Sequence, residues 1–302
     1  MLRTKLCGFN LKNPLILASG IRGNSADLLI RAAREGAGAA TSKSCSPLPR
    51  EGHSNPTMVE EGGVMMNAIG LSNPGVDEEI GEIARAVKEA GVPIIASVFG
   101  KDEAEFAEAA KSISAAKPHM LELDISCPNV HREGMMFSST PEDASRVVSA
   151  VRKAAGIPFS VKLSPQVADI GAVAKACVES GADCITAINT MGGMYVDAKA
   201  RRAVLNNWFG GISGPALKPV SLKCVYSIRK AVGEKVPIIG TGGIATGTDA
   251  VEMLMAGATA VGIGSAGILR ERAFEKIASE METFMKENGY AKTSQLGLDG
   301  RA

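Results

Sequence analysis

Eight short apolar runs punctuate the chain, at residues 15–18, 37–42, 93–98, 119–125, 158–163, 183–188, 236–240 and 258–264. Each is too short for a helix and lacks a polar face, as a strand covered on both sides must. Between them, apolar residues recur three or four positions apart. Ala104, Phe106, Ala107, Ala110 and Ile113 form one such series, and Val167, Ile170, Val173, Ala174 and Cys177 another. That spacing predicts helices with one apolar face. Strict alternation of strand and helix gives a parallel sheet with right-handed crossovers, either open and doubly wound or closed on itself. Eight units favour closure, so the expected fold is α/β, a (β/α)8 TIM barrel, with residues 1–302 as one domain.

Polar residues follow six of the apolar runs: Lys43 and Ser44, Ser126 to Asn129, Lys162, Asn189 and Thr190, Thr241 to Gly243, and Gly264 with Ser265. In a closed barrel these ends meet at one rim, where catalytic groups sit. A polar residue can merely end a strand, but recurrence after six strands points to a site. Two connections are too long for simple turns. Residues 44–75 hold Pro47, Pro49, Pro56 and Pro74, and residues 190–214 are rich in glycine and charge. Ordered loops of this length are often functional. A third stretch, 128–139, has the Gly134 and mixed polarity of a mobile lid.

With 33 basic and 32 acidic residues the formal charge is +1, and no block of like charge marks a surface for nucleic acid or an anionic membrane. A small-molecule partner is expected. The first residues show no long apolar core flanked by basic residues, and no run is long enough to span a bilayer, so a cytoplasmic protein is expected. The six cysteines, Cys7, Cys45, Cys127, Cys177, Cys184 and Cys224, include no C-x-x-C pair. Reduced thiols and no metal or iron–sulfur site are expected.

Two glycine runs near the C-terminal end, Gly240-Thr241-Gly242-Gly243 and Gly262-Ile263-Gly264-Ser265-Ala266-Gly267, follow the last two strand runs. Glycines let backbone N–H groups approach phosphate oxygens, and barrels commonly bind phosphate after strands seven and eight. The second run also fits G-x-G-x-x-G, but it closes the barrel instead of opening a nucleotide-binding βαβ unit, so that match is fortuitous. Tight turn packing is the plainer explanation of such glycines, and their paired arrangement argues against it. Lys162, at the rim end of the fifth run, can balance negative charge on a reduced flavin ring. Lys43 can do the same or meet a substrate carboxylate. Cys127 leaves the fourth run ahead of Pro128 and Asn129, placed to act on a bound molecule, although a free thiol is also a common core residue.

Ser126-Cys127-Pro128-Asn129 resembles the catalytic-loop motif of class 1 dihydroorotate dehydrogenases, in which the cysteine is the active-site base. Thr41-Ser42-Lys43-Ser44, Met66-Asn67-Ala68-Ile69-Gly70-Leu71, Asn73-Pro74-Gly75, Val161-Lys162-Leu163, Ile188-Asn189-Thr190, Ser213-Gly214-Pro215-Ala216 and Thr241-Gly242-Gly243 are similar to that family's signatures, in the family's order. The resemblance runs from about Pro14 to Arg270. It implies FMN at the barrel mouth, on Ala18, Ser19, Gly20, Lys43, Ser44, Asp124, Lys162, Gly214, Gly242, Gly243, Gly264 and Ser265. It implies dihydroorotate on Lys43, Asn67, Gly70, Leu71, Asn129, Asn189 and Thr190, with Cys127 as the base.

The implied partners are a second copy of the chain and, from the loop Val130-His131-Arg132-Glu133-Gly134, which resembles the B subclass, an iron–sulfur FAD electron-transfer subunit. Asp124 departs from the family, which carries an asparagine there, and an ionised aspartate only accepts hydrogen bonds. It is a tolerated variant, or it receives a ring N–H, or it marks a different dihydropyrimidine. Two alternatives stay open: a dihydrouracil-type dehydrogenase, which has no substrate carboxylate to bind, and a flavin-free phosphate-binding barrel lyase or isomerase.

Overall fold

The computed structural model describes residues 1–126 and 136–298. Eight parallel strands close into a barrel in chain order: β1 (Leu15–Leu17), β2 (Ala39–Thr41), β3 (Ile94–Val98), β4 (Met120–Asp124), β5 (Phe159–Leu163), β6 (Cys184–Ala187), β7 (Ile238–Thr241) and β8 (Ala260–Ile263). β8 pairs with β1, Val261 opposite Leu15, and this closes the ring. All eight apolar runs are barrel strands. Main-chain pairing stops one or two residues inside most of the runs, while β7 continues through Thr241.

Helices follow the strands: α1 (Ala26–Arg34), α2 (Val76–Glu89), α3 (Glu103–Ile113), α4 (Pro141–Ala154), α5 (Ile170–Glu179), α6 (Lys218–Val232), α7 (Gly247–Met255), a single turn α8 (Ala266–Leu269) and α9 (Ala273–Glu287). Caps fix where they begin. Asp102 accepts a hydrogen bond from the Glu105 N–H to start α3, and Asp169 accepts from Ala172 to start α5, so Val167 precedes its helix. α3 buries Phe106, Ala109, Ala110 and Ile113, leaving Ala104 exposed. At α7, Thr246 and Asp249 form a reciprocal capping box.

Period-two alternation sorts the strand side chains into two cores. Leu121, Leu123, Val161, Leu163 and Ile185 join the large cluster between barrel and helices, together with Phe106, Val148 and Ile228. Ile16, Ile95, Met120 and Ile239 instead belong to a small cluster inside the barrel. An N-terminal hairpin, Thr4–Leu6 with Phe9–Leu11, caps that cluster with Leu6 and Leu11.

The two long connections are not irregular. Met58–Glu61, Val64–Asn67, Gly210–Ser213 and Met191–Gly193 form one four-stranded antiparallel sheet, in which Asn67 pairs with both Met58 and Gly211. Regions read as two separate loops are therefore joined through main-chain hydrogen bonds. Of the expected lid at 128–139, residues 136–139 are described, with the Ser138 N–H donating to the Ile125 carbonyl at 3.1 Å, and the rest lies outside the described residues. No helix among the described residues is long and apolar enough to cross a membrane.

Candidate active site

The C-terminal rim of the barrel and the loop-borne sheet enclose a cavity of about 400 Å³. Its walls include Ser19, Gly20, Lys43, Ser44, Asn67, Gly70, Leu71, Asp124, Lys162, Asn189 and Thr190. Residues spread over 172 positions of chain thus share one space because parallel strands deliver their C-terminal ends to one rim. Cys127 and Asn129 lie outside the described residues. Ala18, Gly214, Gly242, Gly243, Gly264 and Ser265, expected at the cofactor, are not part of its lining.

Lys162 is 6% exposed and reaches the cavity from β5. Its Nζ donates to Ser19 Oγ at 2.8 Å, and Ser19 Oγ donates to Glu122 Oε1 at 2.7 Å. Lys43 Nζ donates to Ser72 Oγ at 3.2 Å. Burial pushes the Lys43 ammonium's pKa down, and the Glu79 carboxylate opposes the shift. Asp124 Oδ1 accepts from the Ser126 N–H at 3.2 Å and the Ser126 hydroxyl at 2.5 Å. Asn189 Nδ2 donates to Ser126 Oγ at 2.7 Å, and Asn189 Oδ1 accepts from the Thr190 N–H at 2.7 Å. The Asn189 amide, expected to read a substrate, is thus engaged on both atoms by the protein. The Asn67 side chain makes no hydrogen bond among the described residues and lines the cavity, so both its donor and its acceptor are available.

The glycine run after β8 leaves open space that a phosphate can enter. A Cβ built on Gly264 or Gly20 would meet no atom within 4 Å, so open space lies where side chains would otherwise stand. Gly243, at φ +77°, lies against the backbone of Lys218, where a Cβ would come within 2.4 Å of the nitrogen. Only glycine allows that turn after β7. The lining supplies two ammonium groups, Lys43 and Lys162, the amides of Asn67 and Asn189 and the carboxylate of Asp124, a set suited to anionic and polar ring ligands.

The family model described as dihydroorotate dehydrogenase matches residues 1–285. The chain belongs to the dihydroorotate dehydrogenase family. Relatives agree: it is 44% identical over 302 residues to a protein of Methanocaldococcus jannaschii named dihydroorotate dehydrogenase B (NAD(+)), catalytic subunit, covering 99% of this chain and 98% of the relative. A Methanothermobacter thermautotrophicus protein of the same name is 45% identical over 98% of this chain and 97% of its own. In fold, the chain is similar to DHODH of Eimeria tenella, solved in complex with ferulenol, at a TM-score of 0.86 and 22% identity, over 100% of this chain and 89% of that one.

Sequence reasoning missed several cavity-lining residues. Ser164, Gln166, Asn207, Phe209, Gly210 and Gly211 also line the cavity, and the Gly192 N–H donates to Gln166 Oε1 at 2.7 Å. Glu122 was passed over too, although a carboxylate inside an apolar strand is itself a signal, since buried charges are rare unless paired.

Proposed function

We propose that this protein is the FMN-binding catalytic subunit of a B-type dihydroorotate dehydrogenase, oxidising (S)-dihydroorotate to orotate in pyrimidine biosynthesis. The observation that carries this reading is the convergence of Lys43, Lys162, Asn67 and Asp124 on one cavity. Gly242, Gly243, Gly264 and Ser265 would hold the phosphate, and Ser19, Gly20, Ser44, Asp124 and Lys162 the ring system. Bound FMN supplies a hydride acceptor. Lys43 would hold the substrate carboxylate, a group dihydrouracil lacks, while Asn67 and the backbone at Gly70 and Leu71 orient the pyrimidine. Cys127 would remove the C5 proton. Exposed Met191, Met194, Val196, Trp208 and Phe209 on the loops over the mouth support pairing of two copies.

The test is anaerobic stopped-flow reduction by dihydroorotate, with mass spectrometry of the released cofactor. We expect one FMN per chain and a rate that rises with pH through the thiol's ionisation. Cys127→Ser should slow reduction by roughly two to four orders of magnitude with FMN content unchanged. Release of FAD or of no flavin, or faster reduction by dihydrouracil than by dihydroorotate, would overturn the proposal.

A further inference from the structure

The inside of a (β/α)8 barrel is ordinarily filled by layers of branched apolar side chains. Here that holds only for the lowest layer, with Ile16, Ile95, Met120 and Ile239. Two residues along β4 from Met120 stands Glu122, 3% exposed, between the flanking strand residues Ser97 and Ser160, both fully buried. Taking a carboxylate out of water costs several kcal/mol unless a cation and hydrogen bonds offset it. Both are present. Ser19 Oγ donates to Glu122 Oε1 at 2.7 Å and Ser97 Oγ donates to the same oxygen at 3.5 Å, while Lys162 Nζ lies 4.0 Å from it. Ser19 also accepts from Lys162 at 2.8 Å, so one hydroxyl bridges the two charges. Among the described residues, no other carboxylate lies within ion-pair distance of Lys162 and no other cation within that distance of Glu122. Lys162 and Ser19 line the cavity, and Glu122 does not.

We propose that Glu122 is a positioning residue for the redox chemistry: through Ser19 it fixes the Lys162 ammonium at the cavity wall and offsets part of its charge, and so sets how readily a flavin bound there is reduced. This rests on the FMN reading above. Two-electron reduction with uptake of one proton from solvent leaves one more negative charge on the ring. In this water-poor interior the field of a fixed charge is weakly screened. Replacing the carboxylate with an amide of the same shape leaves the ammonium uncompensated, which favours the reduced ring. Keeping the carboxylate on a shorter side chain retains most of the offset. Removing the bridging hydroxyl frees the ammonium to move toward the cavity and acts in the same direction as removing the charge, but less.

The experiment is an anaerobic equilibrium titration of the holoenzyme with dithionite against a reference dye, read from the flavin spectrum. In Glu122→Gln the two-electron reduction constant should rise about tenfold or more, which is about 30 mV to more positive potential. Ser19→Ala should shift it in the same direction by a smaller factor, and Glu122→Asp should stay within about threefold of wild type. A flavin-loaded Glu122→Gln or Ser19→Ala protein with a wild-type or more negative potential overturns the inference alone. Wild-type protein without a flavin spectrum overturns the FMN reading and this inference together.

Discussion

Glu79, the fourth residue of α2, carries a carboxyl into a second cavity of about 260 Å³ lined also by Asn24, Lys43, Ser72, Asn73 and Pro74. Lys43 lines both cavities, so the group proposed to hold the substrate has a buried acid behind it. Glu79 is 2% exposed and its Oε1 has no hydrogen-bond partner. Burial, reinforced by Glu82 and opposed by Lys43, pushes its pKa up to about 7, and the neighbouring Cys45 thiol is pushed up to about 12, chiefly by its own burial. A carboxyl whose pKa is raised on folding binds its proton more tightly in the folded state. Its stabilisation is full below the unfolded pKa, near 4.3, and is lost as pH rises to about 7. Wild type should therefore lose roughly 2–3 kcal/mol relative to Glu79→Gln between about pH 4.5 and 8. Urea unfolding of both proteins across that range measures it, and a pH-independent difference would rule the assignment out. Asp124→Asn should behave quietly. An amide oxygen can accept the same two bonds from Ser126, so dihydroorotate oxidation is expected within about tenfold of wild type. Loss of turnover with flavin retained would give the carboxylate a specific role and reopen the question of a different dihydropyrimidine.

The sheet over the mouth depends on glycines at its crossing points. A Cβ on Gly211 would stand 2.0 Å from Thr190 Oγ1 and 2.6 Å from its Cβ, and Gly211 pairs with Asn67 on one side and Gly192 on the other. Gly211→Ala must push Thr190 aside or splay the strands, an overpacking that costs about 1–3 kcal/mol. The expected result is a KM for dihydroorotate raised about tenfold with FMN content unchanged, read by steady-state kinetics beside flavin absorbance. An unchanged KM would mean that Thr190 takes no part in holding substrate. The barrel strands were legible because burial on both faces leaves an uninterrupted apolar run. These shorter strands were not, since only one of their faces is covered: Met58–Glu61 is almost wholly exposed. A signal was nevertheless present. Gly62-Gly63 and Cys7-Gly8 each occupy a two-residue hairpin turn with both φ angles positive, the turn type that favours glycine most strongly. The Ser19, Glu122 and Lys162 network was hidden for a different reason. Its contacts join residues 103 and 143 positions apart, and only barrel closure, which brings β8 against β1, sets Ser19 opposite the middle strands.

At the scale of the whole molecule, the described residues offer one wide cavity at the barrel mouth and no group of three or more His, Cys, Asp or Glu side chains able to hold a metal ion. Of the described free cysteines, Cys45, Cys177, Cys184 and Cys224 are buried and only Cys7 is partly exposed. Cys7 sits in the hairpin that caps the inner end of the barrel, away from the rim. Under the proposed function, a flavin and a pyrimidine share the cavity of about 400 Å³ at the barrel mouth. On that reading, electrons brought to the flavin are expected to pass to NAD through another protein. Iron–sulfur clusters need sets of cysteine thiolates, and the six cysteines of the sequence include no C-x-x-C pair, so any such centre is assigned, on the same proposal, to a partner subunit. The expected outcome is that the isolated chain is reduced by dihydroorotate and passes electrons to NAD only after an iron–sulfur FAD subunit is added, with a complex of the two recovered by size exclusion. Parallel assays with fumarate and quinone complete the test. Rapid NAD reduction by the chain alone, or fumarate turnover that the second subunit does not increase, would show that the barrel discharges its flavin unaided and would remove the partner from the scheme.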